Sequence, residues 1–162
     1  MIADLKTATR LLKARFPDEP IYLLGESMGG AVILAASVEA DPPPADGLIL
    51  VAPAVWGLQT QSGFNQNVLD LLAHAVPWMP VVPRGLKVRA SSSNRALIAM
   101  ALDPLYIKET RVDSAYGLVD LMTRAYDAAA KLKSPRTLVL FGAQEAILSR
   151  SAVAQFLRRL PN

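Results

Sequence analysis

The residues with the greatest capacity for chemistry are Gly25-Glu26-Ser27-Met28-Gly29, which fit the pattern G-x-S-x-G. A serine there can attack an acyl carbonyl, provided the backbone thrusts its Oγ out of a sharp turn between a strand and a helix. Both flanking elements are legible. Ile21 to Leu24 is an apolar run of strand length, and Ala31 to Val38 continues as an apolar helical stretch, so a helix is expected over Ser27 to Val38. Such a turn places the serine in a strained backbone conformation. Gly25 and Gly29 are expected to remove the Cβ atoms that would collide across it. The helix directs its N-terminus, and the Met28 backbone N–H, toward the place where an oxyanion would form. The competing reading is a βα turn whose small residues merely let helix and strand pack closely. A strand before and a helix after favour the nucleophile elbow.

The elements that must position this turn follow from periodicity. Ile2, Leu5, Ala8, Leu12 and Phe16 recur at helical spacing, predicting an amphipathic helix over 2–16 that Pro17 stops. Gly47 to Ala52 reads as a second buried strand, after the stiff loop Asp41-Pro42-Pro43-Pro44, and Thr137 to Phe141 reads as a third between Pro135 and Gly142. Strands that are apolar throughout and alternate with helices argue a parallel sheet covered on both faces. Between strands two and three lies an insertion over about residues 54–118, with an amphipathic piece over Phe64 to Val76, prolines at 77, 80 and 83, and a helix near Asn94 to Leu102. No strand pattern is visible in it. A helical insertion after the C-terminal end of such a strand reads as a lid over the ligand crevice, a plain surface subdomain being the alternative. Helix Ser114 to Lys131 then returns the chain to the sheet. One domain, 1–162, accounts for the whole sequence.

Composition bounds the class. With 162 residues, 52% hydrophobic and 19% charged, the chain is long enough and apolar enough to build one core. There is no cysteine, which excludes disulfides and thiol chemistry and suits a cytoplasmic location. The longest uncharged apolar run, around Gly47 to Leu58, is too short to cross a bilayer, and Asp4 and Lys6 interrupt any early signal-like segment. The net charge of +3 is mostly scattered, with a loose group at Arg84, Lys87, Arg89 and Arg95 that reads as a solvated face. Nucleic-acid binding would want a denser patch interleaved with aromatics and is not expected. No metal site or cofactor motif is found; Gly25 to Gly30 lacks the lysine of a phosphate-binding loop.

These pieces in this order resemble the α/β-hydrolase fold, and within it the serine hydrolases of the monoacylglycerol lipase and lysophospholipase kind (serine aminopeptidase S33-type). The resemblance rests on Leu24-Gly25-Glu26-Ser27-Met28-Gly29-Gly30-Ala31 and Leu50-Val51-Ala52-Pro53-Ala54. It rests also on Ser93-Asn94-Arg95 with Asp103-Pro104-Leu105, and on Leu138-Val139-Leu140-Phe141-Gly142. It implies an α/β fold, a partial parallel sheet of three recognisable strands with a helical lid. It implies Ser27 as nucleophile and the Met28 N–H as half of the oxyanion hole. The family's acid follows the last strand in a Gly-x-x-Asp-x-Ile/Val pattern, here Gly142-Ala143-Gln144-Glu145-Ala146-Ile147, so Glu145 stands where aspartate is usual. The alternative is an exposed loop charge.

Two parts of that family pattern are missing. The triad histidine, which takes the serine proton and passes it to the leaving group, follows the acid in this fold. The only histidine here, His74, precedes Glu145 and lies in the lid beside Leu71 and Leu72, so it is read as packed or half-exposed there. The upstream strands and His-Gly loop that supply the second oxyanion donor are also missing, and both sheet edges would lack neighbours. The expectation is the middle of a larger hydrolase, inactive and poorly soluble as this chain alone. The resemblance implies an acyl ester or lipid substrate, such as a monoacylglycerol or lysophospholipid. Leu69, Leu72, Val76, Trp78, Met79 and Val81 would line a lid suited to an acyl chain or to transient contact with a lipid surface. Alternatives are a non-catalytic remnant or binding module, and an amidase or aminopeptidase on the same fold. The oligomeric state is not fixed by the sequence.

Overall fold

A computed structural model describes residues 1–55, 66–81, 91–107, 109–133, 136–145, 148 and 150–161. Phe64, Pro83, the basic residues Arg84, Lys87 and Arg89, Pro135, Ala146, Ile147 and the side chain of Val81 lie outside the described residues. The chain starts with helix α1 (Ile2–Arg15), strand β1 (Tyr22–Glu26) and helix α2 (Met28–Ser37). Strand β2 (Gly47–Val51) follows, then α3 (Gln66–Ala75), β3 (Pro80–Val81), α4 (Asn94–Leu102) and β4 (Thr110–Arg111). Helix α5 (Val112–Ala129), strand β5 (Arg136–Leu140) and helix α6 (Arg150–Arg159) complete it.

The main sheet is parallel, in the order β1-β2-β5, with Leu24 opposite Ile49 and Ile49 opposite Leu138. Its strands therefore all end at one edge. β1 extends two residues beyond the predicted Leu24, because Gly25 and Glu26 keep the ladder with Leu50 and Val51. α2 carries no charge and is buried continuously from Gly30 to Ala36. A helix apolar all round must be enclosed. It packs on β1 and most extensively on α5, whose Leu121, Ala125 and Ala128 recur at helical spacing on its buried side. Phe156 of α6 and Leu23, Leu48 and Leu50 of the sheet join the same core.

Several expectations are corrected. Among the described residues, helices cover one face of the sheet. Leu23, Gly25, Leu48 and Leu50 are buried beneath the helices, while Tyr22, Leu24, Leu138 and Leu140 on the other face are exposed, Leu24 at 65%. The apolar strands implied two layers of helices, but the described helices that reach the core belong to one. In α1 the buried face is built on Ile2, Leu5 and Thr9; Leu12 and Phe16 are exposed. In this orientation Lys6 pairs with Glu39 and Arg10 with Asp41. The insertion contains strand pairing after all: Pro80–Val81 with Thr110–Arg111, antiparallel, two residues each and too short to show alternation.

Within the insertion the two family-like tripeptides are helix punctuation. Ser93 caps α4 by accepting from the Ala96 N–H, and Asp103 closes it while its Oδ1 accepts from the Leu105 N–H at 2.8 Å. The Val112 and Asp113 N–H groups at the start of α5 donate to the Met79 and Pro77 carbonyls, fastening the segment before β3 to that helix.

Candidate active site

Ser27 stands between β1 and α2 at φ 49°, ψ −116°. A positive φ on a residue with a Cβ is uncommon and persists only where the surroundings over-determine it. Those surroundings are specific. The Ser27 N–H donates to the Val51 carbonyl at 2.9 Å, and the Ala54 N–H donates to the Ser27 carbonyl at 2.8 Å. The residue is exposed. Met28 opens α2, so its N–H is among the four that a helix leaves without an internal acceptor. The buried, uncharged helix behind it adds the positive end of its dipole.

The glycines divide unevenly. A Cβ on Gly25 would lie 2.6 Å from the Gly29 carbonyl carbon and 2.6 Å from Ile33 Cδ1, so no side chain fits where β1 passes under α2. A Cβ on Gly29 would meet nothing within 4 Å among the described residues, which corrects the expectation that both glycines relieve a collision. The second obligatory glycine is Gly30, whose Cβ would fall 2.8 Å from Pro53 Cβ. Sequence reasoning missed it. The signal was the adjacent pair Gly29-Gly30, but its partner Pro53 comes from the turn after the next strand.

Glu145 follows β5, at the same edge of the sheet as Ser27. It closes a turn by donating its N–H to the Gly142 carbonyl at 3.1 Å, and its Oε1 accepts from the Leu148 N–H at 3.1 Å. The carboxylate is half-buried and borders a cavity of about 170 Å³ lined by Phe141, Leu148 and Val153. His74 stands elsewhere, on α3, with a side chain 73% exposed. Its Nδ1 lies 2.8 Å from the Asp70 carbonyl oxygen, and its ring meets Tyr116 edge-on at 6.2 Å between centroids. Tyr116 hydrogen-bonds Asp70, and that bond together with the nearby carboxylate charge raises its phenol above the usual value. Of the lid residues, Leu72 and Val76 are half-buried, whereas Trp78 and Met79 are exposed. Among the described residues no three acidic, histidine or cysteine side chains converge as a metal set, and no helix is long and apolar enough to cross a membrane.

A strained serine between a parallel strand and an enclosed helix, with an acidic residue beyond a later strand at the same edge, defines the α/β-hydrolase fold. The chain belongs to the family described as serine aminopeptidase, S33, whose pattern matches residues 1–162. It is 35% identical over 54 residues to a monoglyceride lipase of Rattus norvegicus, covering 33% of this chain and 18% of that protein. Among solved structures it resembles a Paleococcus ferrophilus monoacylglycerol lipase, with a TM-score of 0.68 at 21% identity over 96% of this chain. It also resembles a soluble variant of the Saccharomyces cerevisiae monoglyceride lipase, with a TM-score of 0.74 at 18% identity over 99% of this chain. The chain spans 61% and 56% of those two structures.

Proposed function

We propose that these residues serve a serine ester hydrolase acting on acyl esters such as a monoacylglycerol or lysophospholipid. The observation that carries the reading is Ser27, exposed and held at φ 49° directly before the first N–H of α2. In the reaction, Ser27 Oγ attacks the acyl carbonyl while a histidine takes its proton, and the Met28 N–H holds the oxyanion. Collapse expels the alcohol, which receives that proton, and leaves an acyl-enzyme that water hydrolyses by the same steps. Glu145 orients the histidine. Backbones two strands apart at the sheet edge lie roughly 10 Å from each other, a span that an imidazole with two hydrogen bonds can bridge. The relatives' names supply the substrate class, and the half-buried Leu72 and Val76 with exposed Trp78 and Met79 offer apolar surface for an acyl chain or a membrane surface.

No histidine follows Glu145 in the sequence, and His74 is engaged with Asp70. The 162-residue chain by itself is therefore expected to show negligible turnover, as a non-catalytic module would. The test compares this chain with the longest protein expressed from its reading frame, on a monoacylglycerol, a p-nitrophenyl ester and an amino-acid anilide. Ester turnover by the longer protein that drops on the order of 10⁴-fold or more in Ser27→Ala supports the proposal. Turnover indifferent to Ser27 overturns it, and faster anilide cleavage would move the substrate to the amides that the family description suggests.

A further inference from the structure

Among the described residues two non-glycine residues have positive φ: Ser27 at 49° and Ala52 at 40°. They are not independent. The ladder between β1 and β2 ends at Glu26 opposite Val51, so Ser27 and Ala52 are the next residues on neighbouring strands. Ala52 is doubly out of place, because a residue before proline is pushed toward extended backbone with negative φ. Its N–H is tied to the Leu140 carbonyl at 2.7 Å, which anchors the turn to β5. The turn brings Pro53, fully buried, against Gly30, and sets the Ala54 N–H on the Ser27 carbonyl. Since Val51 accepts the Ser27 N–H, one four-residue stretch reaches both backbone polar groups of the serine, whose carbonyl also accepts a longer bond, 3.3 Å, from the Ala31 N–H of α2.

From this geometry we infer that Ala52 is a positioning residue for the nucleophile and its oxyanion donor. It acts through Ala54. The Ser27–Met28 peptide is planar and trans, so its C=O and N–H point in opposite directions. Anchoring the Ser27 carbonyl on the Ala54 N–H therefore turns the Met28 N–H away from β2, and together with the Ser27 N–H held by Val51 it fixes the direction of the Cα–Cβ bond that carries Oγ. The strain at Ala52 is what allows the chain to leave β2 and return Ala54 to the elbow within three residues. The inference rests on reading Ser27 as the nucleophile.

The test is made on the 162-residue chain by nuclear magnetic resonance and needs no turnover. A β-branched residue tolerates positive φ least, so Ala52→Val is expected to open the turn, whereas Ala52→Gly preserves it. In Ala52→Val the Ala54 amide should exchange at least about 10-fold faster while the Leu50 amide keeps its rate. The Ser27 Cα and Cβ shifts should leave their positive-φ values. In Ala52→Gly all of these should match the parent protein. Should Ala52→Val not fold, Gly30→Ala, which must displace Pro53, is expected to give the same selective loss. Ala54 and Ser27 signals unchanged in these variants, or every amide accelerated by one common factor, would overturn the inference. Failure of the nucleophile reading would show separately, as ester turnover indifferent to Ser27→Ala.

Discussion

Replacing Gly25 by alanine tests whether the elbow is sterically compulsory. The added Cβ would sit 2.6 Å from the Gly29 carbonyl carbon, 2.7 Å from its oxygen and 2.6 Å from Ile33 Cδ1. The last atom can rotate away, but the other two are backbone in the first turn of α2, and a carbon pair needs about 3.5 Å. α2 would have to lift from β1 by close to an ångström, although it is buried from Gly30 to Ala36 between the sheet and α5. Overpacking of this kind costs about 1–3 kcal/mol, and the rigidity of both neighbours puts Gly25→Ala near about 3. For a chain of this size that lowers Tm by roughly 6–12 °C. Gly30→Ala, opposed by the Pro53 ring, should lose about 2 kcal/mol by the same mechanism. Gly29→Ala meets no atom of the described residues and should be neutral, or gain up to about 1 kcal/mol from helix propensity. Circular dichroism melts and urea titrations of the three variants decide the matter. An unchanged midpoint in Gly25→Ala, or a loss in Gly29→Ala as large as in Gly25→Ala, would refute the steric account.

Two further outcomes are expected. Phe156→Ala, which empties a fully buried position joining α6 to the core, should cost about 3–5 kcal/mol, read from the urea midpoint at unchanged m. The Tyr116 phenol is raised from 10.0 by its hydrogen bond to Asp70 and by that carboxylate's charge, so its contribution to stability is complete below pH 10 and is lost as pH rises through the folded value. An ultraviolet difference titration against Tyr116→Phe should show the elevated value, and Asp70→Asn should bring it down; a titration unmoved by Asp70→Asn would dismiss that pairing.

The sequence by itself determined the local events. The apolar run through Leu24 makes most of β1, an uncharged apolar run makes α2, and G-x-S-x-G marks the turn between them, because each depends on neighbours within a few positions. The helix Asn94–Leu102 is delimited by Ser93 and Asp103, both local hydrogen-bonding residues. Only the tertiary structure decided which glycine was compulsory. The Cβ of Gly30 is opposed by Pro53, 23 residues onward, and that of Gly29 by nothing described, a difference no spacing rule contains. It decided the rotation of α1, where Ile2, Leu5 and Thr9 face the core and Leu12 of the apolar period stays exposed. It decided that the described helices cover one face of the sheet, since apolar strands read alike whether one or both sides are buried. And it showed that the backbone of Ser27 is held from Val51 to Ala54, since a parallel ladder joins residues whose separation along the chain is fixed only by how the intervening helix packs.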